Sequence, residues 1–200
     1  MGRPSDAREK LLQVVFDLIW NQSYGSVSVD QICERASVNK GSFYHFFPSK
    51  SDLALEAYEL NWREKQPELD RIFSPQIPPL DRIHGWCKHV YDRQEQKTKK
   101  YGHVCGCPYA SLGTELATQD ERIRTKAQQM IDRSIRYIEN ALIDAKHQGL
   151  VDINDPHVVA ERVYSIALGM LLHAKIRNSL SVLDDLDSTV MRMIGAAVPA

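Results

Sequence analysis

The segment Ser28–Lys50, SVDQICERASVNKGSFYHFFPSK, decides the fold of this chain, because it contains two short helical patterns separated by a tight turn. Its first part places apolar side chains at helical spacing along one face of about two turns: Val29, Ile32, Cys33 and Ala36. Ser28 and Gln31 match a capping box, in which each side chain bonds the backbone N–H of the other residue. The pattern predicts a helix-turn-helix whose first helix begins after Ser28.

The second helix of this motif is expected from about Lys40 to Phe46. It follows a turn at residues 36–39, where serine and asparagine side chains compete for backbone hydrogen bonds. Three phenylalanines form its inward face: Phe43, Phe46 and Phe47. Its other side carries hydrogen-bonding residues, none of them acidic: Asn39, Lys40, Ser42, Tyr44 and His45. A helix of this length spans about 12 Å and fits the roughly 12 Å width of the DNA major groove.

These side chains predict sequence-specific binding to double-stranded DNA. Phosphate contacts are expected from Ser28, Lys40, Tyr44 and Lys50, and base-edge contacts from Asn39, Ser42 and His45. Gly41 would allow close approach to a sugar-phosphate strand, although it is equally well explained as a turn glycine. Because one short helix reads only a few base pairs, specificity needs two copies, and a twofold dimer would read an inverted repeat.

The run SVNKGSFYHFFPSKSDL (residues 37–53) resembles the DNA-binding signature of the TetR family of transcriptional regulators, K-G-x-[LF]-Y-x-[HYF]-F-x-[ST]-K. Phe46 departs from many members, which have His or Tyr there. The resemblance covers about fifty N-terminal residues, and the rest of the chain is similar to the family only in helical layout and length. It implies an all-α fold with a three-helix DNA-binding domain and a C-terminal helical domain that binds a small-molecule effector and forms a homodimer.

The composition is that of an ordinary globular protein. The chain has 200 residues, 43% of them hydrophobic, a formal net charge of −1 and a sequence pI near 6.7, so any DNA-binding surface must be local. Residues 1–50 hold six Lys or Arg against five Asp or Glu, which is weak support. Arg3 and Arg8 could reach phosphate or the minor groove from an N-terminal arm, or be merely solvated.

Four cysteines without framework spacing and a polar N-terminus predict a cytoplasmic protein without a signal peptide or membrane span. Residues 1–50 are expected to form the DNA-binding domain, a helix over 50–73 to link it, and residues 74–200 to form the ligand-binding and dimerisation domain. Pro67 is expected to kink or break the linking helix. The run EQKTKK at residues 95–100 is expected to form a surface loop.

The last two helical patterns carry apolar stripes, which would pair with those of a second copy in a four-helix bundle or belong to the core of one copy. Dimerisation through these helices is what the TetR resemblance implies. The predicted interface comprises Val163, Ile166, Ala167, Met170, Leu171, Val190 and Met193.

The middle helices carry side chains suited to an apolar effector cavity with a few hydrogen-bonding groups, although residues of these types at helical spacing also build cores. This candidate set is Trp62, Trp86, His89, Tyr109, Met130, Tyr137, Tyr164 and His173. No cofactor is predicted, and the residues do not identify the effector.

Cys105 and Cys107 suggest a sensing role. Pro108 is suited to the first position of a helix, which puts Cys107 at a helix N-terminus where oriented N–H groups favour a thiolate. That placement suits the detection of electrophiles or oxidants, and some TetR-like regulators that respond to electrophiles have a cysteine in a similar region. The simpler alternative to a sensing role is that Cys105 and Cys107 are only small, partly buried residues. A metal site that includes His103 is another, but the H-x-C-x-C spacing lacks the C-x-x-C geometry of common zinc sites.

We therefore predict a homodimeric repressor that a small-molecule or electrophile effector releases from an inverted-repeat operator. Two other classes of protein remain as alternatives. A thiol enzyme could use Cys107 with His103 or His89, but the sequence supplies no oxyanion site for it. An all-helical interaction module would explain the apolar stripes and leave the surface of Lys40 and Tyr44 without a purpose. A steep fall in DNA binding between roughly 50 and 200 mM salt would separate the DNA-binding class from both.

Overall fold

The computed structural model describes residues 4–196, which form an all-α structure without a β-strand in that range. None of the helices in the described part of the chain has the length and apolar character needed to cross a membrane. The described helices are α1 (Pro4–Asn21), α2 (Val29–Ala36), α3 (Lys40–Phe46), α4 (Lys50–Ile72), α5 (Pro79–Tyr101), α6 (Pro108–Leu116), α7 (Glu121–His147), α8 (Pro156–Arg177), a 3-10 helix (Leu180–Leu183) and α9 (Leu186–Met193).

The two helices of the predicted helix-turn-helix are confirmed, and α1 packs against both of them. Phe43 and Phe47 are fully buried, whereas Phe46, also predicted to point inward, is only half-buried. Burying each phenylalanine stabilises the fold by roughly 1.5–3 kcal/mol. This packing fixes α3 by its inner side and leaves its outer side to solvent.

One predicted helix is unbroken at its proline, and another runs further than the sequence predicted. Pro67 does not break α4, which continues to Ile72 with the proline on its exposed side. The predicted loop at residues 95–100 is wrong, because α5 stays helical through Tyr101. Glu95 and Lys99 form an i,i+4 ion pair in this stretch, and Gly102, at φ +80°, ends the helix in the left-handed conformation.

The last predicted helix is divided. After the left-handed cap at Asn178, a 3-10 turn of four residues is followed by α9, which has only eight. Asp184 and Asp185 separate the two pieces, and aspartate competes for backbone hydrogen bonds in helix interiors. The long second helix needed for the predicted four-helix bundle is therefore absent from the described residues.

The described chain divides into two compact units. The first extends to Lys65 and includes Pro108–Met130; aromatic contacts join its helices, with ring centroids 6.3 Å apart for Phe16 and Tyr58 and 5.5 Å apart for Tyr58 and Tyr109. This unit contains the whole helix-turn-helix together with α6.

The second unit comprises Gln66–Cys107 and the chain from Ile131 onward. Its core includes a cluster in which buried side chains of the 102–107 loop, α8 and the 3-10 helix pack together: Val104, Leu171, Ala174 and Leu183. Arg82 is buried in this unit and binds Asp144 of α7 at 2.6 Å.

Candidate nucleic-acid interface

The start of α2 is held by the capping box that the sequence predicts. The backbone N–H of Gln31 donates to Ser28 Oγ at 3.1 Å, and the N–H of Ser28 donates to Gln31 Oε1 at 2.8 Å. Ser28 is exposed, and its hydroxyl proton is not consumed by the bond it accepts. A phosphate contact from Ser28 is compatible with this geometry and stays a prediction.

The turn between α2 and α3 is built from backbone bonds and one side chain. Ser37 adopts φ +54°, and the N–H of Val38 donates to Cys33 O at 2.9 Å, which closes α2. Asn39 caps α3, because its Oδ1 accepts the N–H of Ser42 at 2.7 Å. Asn39, predicted to read a base edge, therefore has its amide oxygen engaged, and only the NH₂ group remains to donate.

The outer side of α3 is open to solvent. Lys40, Gly41 and His45 are exposed, and Tyr44 is 55% exposed although it is a large aromatic residue. Its ring lies against Phe43, with centroids 5.1 Å apart. A cationic group, a phenol and an imidazole thus share one rigidly supported surface without an acidic residue on α3 itself, which is the chemistry needed for phosphate and base-edge contacts.

Lys40 is paired in the free protein. Its ammonium lies 2.6 Å from the carboxylate of Asp30 on α2, and this hydrogen bond raises the pKa of Lys40. Both side chains are more than half exposed, so the pair is open to competition from a phosphate group.

Lys50 is not displayed for phosphate as the sequence suggested. Its Nζ donates to the carbonyls of Tyr24 and Val27, at 2.8 and 2.7 Å, and lies 3.8 Å from the centroid of the Tyr24 ring. Burial lowers the pKa of Lys50. The side chain acts as a brace for the α1–α2 loop, because its ammonium joins two carbonyls of that loop through charge-assisted hydrogen bonds.

Arg8 is likewise engaged inside the first unit. Its guanidinium pairs with Glu56 of α4 and lies 5.6 Å from the centroid of the Phe47 ring. A flexible arm is therefore the wrong description of Arg8, since α1 already includes that position. Arg3 lies outside the described residues.

The comparisons with known proteins agree with this geometry. Residues 11–57 match the model of the bacterial regulatory proteins of the tetR family, and residues 79–190 match that of the tetracyclin repressor-like C-terminal domain. The chain belongs to the TetR family. It is accordingly a DNA-binding transcriptional regulator and not an enzyme, as the sequence predicted.

Relatives of this TetR-family protein match over nearly its full length. The uncharacterized HTH-type transcriptional regulator in the lacX 3′ region of Lactococcus lactis subsp. lactis is 29% identical over 195 residues, 95% of each chain. The HTH-type transcriptional repressor NemR of Escherichia coli K12 is 26% identical over 197 residues, 98% of this chain and 96% of NemR. The crystal structure of the reduced form of E. coli NemR superposes with a TM-score of 0.82 and 25% identity, covering 98% of this chain and 99% of that one.

The residues predicted to line an effector cavity in this TetR-family regulator are distributed over both units. In the first unit, Trp62, Tyr109 and Met130 are buried, and the Tyr109 hydroxyl donates to Asn61 Oδ1 at 2.9 Å. Asn61 was not predicted, because a single asparagine in an amphipathic helix carries no signal that distinguishes it from a surface residue.

In the second unit, the ring centroids of Trp86 and Tyr164 lie 6.4 Å apart. Tyr137 lies against Phe73 and its hydroxyl bonds Asp70; burial, followed by this carboxylate, raises the pKa of Tyr137 to about 12. His89 is buried and its Nδ1 lies 3.0 Å from Glu68. His173 is exposed on α8, so its assignment to an apolar cavity is wrong.

A groove of about 640 Å³ lies on the second unit, between one face of α5 and the 3-10 helix with α9. Its lining includes His84, Tyr91 and Asp187, and His84 Nδ1 lies 2.7 Å from the Asp187 carboxylate. None of the predicted effector residues lines this groove. The sequence did not predict this groove, because no local pattern indicates that helices more than 90 residues apart pack side by side.

The four cysteines are all free and differ in accessibility. Cys33, Cys87 and Cys105 are buried, whereas Cys107 is partly exposed just before Pro108, the first residue of α6. Burial raises the pKa of Cys33 and of Cys87, and Asp187 adds to the effect at Cys87. The described residues contain no cluster of three or more His, Cys, Asp or Glu side chains suited to a metal ion.

The predicted dimer surface needs correction. Val163, Ala167, Leu171 and Val190 are buried inside the protomer, while Ile166, Met170 and Met193 are half-buried. The four buried positions serve the core of the second unit, and the three half-buried ones stay predictions for an interface. The exposed apolar side chains of α8 are Leu172, at 58%, and Ile176, at 74%.

Proposed function

We propose that this TetR-family protein is a homodimeric cytoplasmic repressor that binds an inverted-repeat operator through α3. The observation that carries the proposal is the solvent-exposed surface of Lys40, Tyr44 and His45 on a short helix held by the buried Phe43 and Phe47. Lys40 and Tyr44 would bind phosphates, and His45 with Ser42 would face base edges. NemR, which is similar over nearly the whole chain, is named as a repressor.

A second copy of the chain would pack on the outer face of α8. Ser165, Gly169, Leu172 and Ile176 follow one another at steps of four, three and four residues, which places them on one stripe of the helix. All four are exposed, and a Cβ added at Gly169 would meet no atom within 4 Å. Small residues beside two large aliphatic ones allow close approach of a partner helix, and such exposed apolar residues favour burial.

Selection of bound duplexes from a random DNA pool tests operator recognition. The expected product is an inverted repeat whose half-sites are about one helical turn apart, roughly 34–36 Å or a multiple of that distance. Affinity for it should fall steeply between about 50 and 200 mM salt. Recovery of a non-repeated sequence, or binding without salt dependence, would contradict the proposal.

Sedimentation velocity tests the α8 interface. A charged residue at the centre of an apolar interface is expected to dissociate the dimer, so Leu172→Glu and Ile176→Glu should sediment as monomers at concentrations where the wild type is dimeric. Leu150→Glu is the matched control, because Leu150 is also a large exposed apolar residue, at 42%, but lies beyond the end of α7. A dimer that resists both α8 substitutions would place the interface elsewhere.

We further propose that Cys107 is the effector-responsive group. It is the cysteine with partial exposure, and it immediately precedes α6, a helix that belongs to the same compact unit as the helix-turn-helix. With p-benzoquinone, the Cys107 sulfur would add to a ring C=C bond and form a C–S bond, while the thiol proton passes to one quinone oxygen. The hydrogen of the attacked carbon would then move as a proton to the second oxygen, leaving a thioether-substituted hydroquinone. Because Cys107 is partly buried and directly precedes α6, we propose that the bulk of the adduct displaces the first turn of that helix.

Treatment of the protein–operator complex with p-benzoquinone tests this assignment. The wild type and Cys105→Ala, which retains the Cys107 thiol, are expected to release the operator, whereas Cys107→Ser should remain bound. Release of Cys107→Ser at the wild-type dose would exclude Cys107 as the sensor. An unreactive wild type would indicate a non-covalent effector.

A further inference from the structure

The loop between α1 and α2 is fixed by a carboxylate from outside the helix-turn-helix. Glu115 of α6 accepts the backbone N–H of Tyr24 at 2.9 Å through Oε2 and the N–H of Gly25 through Oε1. A carboxylate that accepts two backbone N–H groups forms charge-assisted bonds, which are about twice as strong as neutral ones. A Cβ added at Gly25 would lie 2.8 Å from Glu115 Oε1, so a side chain at this position would push the carboxylate away from the loop.

The same loop is held from its other side by α4. Lys50 bonds the carbonyls of Tyr24 and Val27, and the Tyr24 hydroxyl lies 2.9 Å from Ser51 Oγ. Glu115 therefore accepts hydrogen bonds from two N–H groups of the loop, while Lys50 donates hydrogen bonds to two of its carbonyls. Three residues after Tyr24, Val27 is buried at 1% exposure, and the next residue, Ser28, caps α2.

The α6 helix that carries Glu115 is itself fixed at its first turn. Tyr58 of α4 donates to the carbonyl of Pro108 at 3.1 Å, and Tyr109 donates to Asn61 at 2.9 Å. α6 has nine residues, so these anchors and Glu115 lie within about 14 Å along one stiff rod. A displacement at the first turn of α6 is thus passed to the loop without a flexible segment in between.

We infer that Glu115 is a positioning residue for operator binding: its two bonds to the Tyr24–Gly25 backbone set where α2 begins and thereby the orientation of α3. Glu115 touches no DNA in this scheme. It acts through the loop, because the capped end of α2 directly continues the segment that Glu115 and Lys50 hold. The inference rests on the operator recognition proposed above.

A pure charge effect and a positioning role predict opposite changes in operator affinity for Glu115→Gln. Removing a negative charge from a DNA-binding protein strengthens its binding to DNA. If Glu115 positions the loop, the glutamine weakens operator binding instead, because its NH₂ group faces a backbone N–H and one of the two bonds is lost. The expected rise in operator Kd is about fivefold to tenfold, from the loss of one charge-assisted bond.

Glu121→Gln is the matched control. Glu121 is an exposed acid at the start of α7 that bonds Arg124 and does not touch the loop, so its neutralisation reports only the charge effect. Gly25→Ala is the complementary variant: it keeps every charge and displaces the Glu115 carboxylate by steric contact. It should weaken operator binding as Glu115→Gln does, even if that substitution impairs folding.

Kd for the selected operator and for a scrambled duplex should be measured by fluorescence anisotropy well below each variant's Tm, alongside hydrogen exchange at Tyr24 and Gly25. Support consists of weaker operator binding and faster amide exchange for both Glu115→Gln and Gly25→Ala. Binding to the scrambled duplex should match that of Glu121→Gln for Glu115→Gln, and that of the wild type for Gly25→Ala. Operator binding by Glu115→Gln that is equal to or tighter than wild type, as for Glu121→Gln, would overturn the inference. A wild type that selects no operator would instead refute the proposed function.

Discussion

The ammonium of Lys40, at the start of the recognition helix α3, lies 2.6 Å from the carboxylate of Asp30 on α2. The free protein thus neutralises one cation of the exposed α3 surface that we propose to face DNA. Asp30 is itself exposed, in the first turn of α2, where a carboxylate also complements the helix dipole. Asp30 therefore stabilises α2, and by pairing with Lys40 it is expected to lower the affinity of that lysine for phosphate.

Asp30→Asn is expected to tighten operator binding by about twofold to fivefold, since it frees Lys40 and removes a charge that repels phosphate. The variant should also show a steeper dependence of log Kd on log salt concentration. Glu34→Gln, on the same helix and exposed, is the control for charge alone. Equal effects of the two substitutions would show that the Lys40–Asp30 pair has no role in binding.

Arg82 is a buried polar anchor of the second unit. Its Nε and Nη2 donate to the carbonyls of Ile77 and Pro75, at 2.7 and 3.1 Å, and its Nη1 donates to Asp144 at 2.6 Å. Arg82→Ala is expected to lower the free energy of unfolding by about 2–4 kcal/mol, because the three hydrogen bonds and the packing of the buried Arg82 side chain are lost. Arg82→Lys should recover only part of this lost stability, because the single ammonium group of lysine cannot reach all three acceptors.

Urea denaturation followed by circular dichroism measures this effect, with Arg71→Ala as the control, because Arg71 is exposed on α4. A change below about 1 kcal/mol for Arg82→Ala, comparable with a surface substitution, would show that the connector at residues 74–78 does not depend on this clamp.

The loop that carries the two cysteines depends on a glycine. Gly106 has φ +74°, and its carbonyl and N–H both bond the side chain of Gln94, at 3.0 Å each. A Cβ at Gly106 would lie 3.2 Å from Lys175 Cδ, whereas one at Gly102, with φ +80°, would meet nothing within 4 Å. Both glycines have a left-handed backbone conformation that a residue with a side chain rarely adopts, but only Gly106 also has neighbouring atoms where a Cβ would lie.

Gly106→Ala should therefore destabilise the protein more than Gly102→Ala. The left-handed conformation alone costs a non-glycine residue about 1–2 kcal/mol, and Gly106 adds the displacement of Lys175 and of the Gln94 bonds. Thermal unfolding of the two variants measures the difference. Equal shifts in Tm would mean that Lys175 moves aside freely.

The helix-turn-helix was predictable because its determinants are local. Ser28 and Gln31 form their capping box within one turn, and the spacing of the phenylalanines determines which side of α3 is buried. On α8, by contrast, apolar residues occur on more than one side, and periodicity cannot show which side meets the core. The stripe of Val163 and Ala167 was therefore assigned to a partner although it is internal.

Roles that depend on distant partners were not predictable. Lys50 and Glu115 hold the α1–α2 loop across 23 to 91 positions of sequence, so no spacing rule relates them to it. The same holds for His84 and Asp187, which meet across 103 positions. The sequence does specify the chemistry of these side chains, but which groups they satisfy is decided by tertiary packing.

The α7–α8 junction should make stability depend on pH. His157 Nδ1 lies 3.1 Å from Glu139, and this hydrogen bond raises the pKa of His157 above that of the unfolded chain. A group whose pKa is higher in the folded state stabilises it fully below the unfolded pKa, about 6.5, and loses that contribution as pH rises through the folded pKa. Stability from this pair is therefore present near pH 5.5 and lost in alkaline solution.

Other groups also titrate in this pH range, so the test compares the Tm of His157→Gln with that of the wild type at each pH. His157→Gln should lower Tm relative to wild type near pH 5.5 and leave it almost unchanged near pH 8.5, since an amide keeps a hydrogen bond to Glu139 but never carries charge. The effect should be small and weakened by salt, because His157 is exposed. A Tm difference that grows toward pH 8.5 would have the opposite sign and would exclude protonated His157 as the stabilising partner of Glu139.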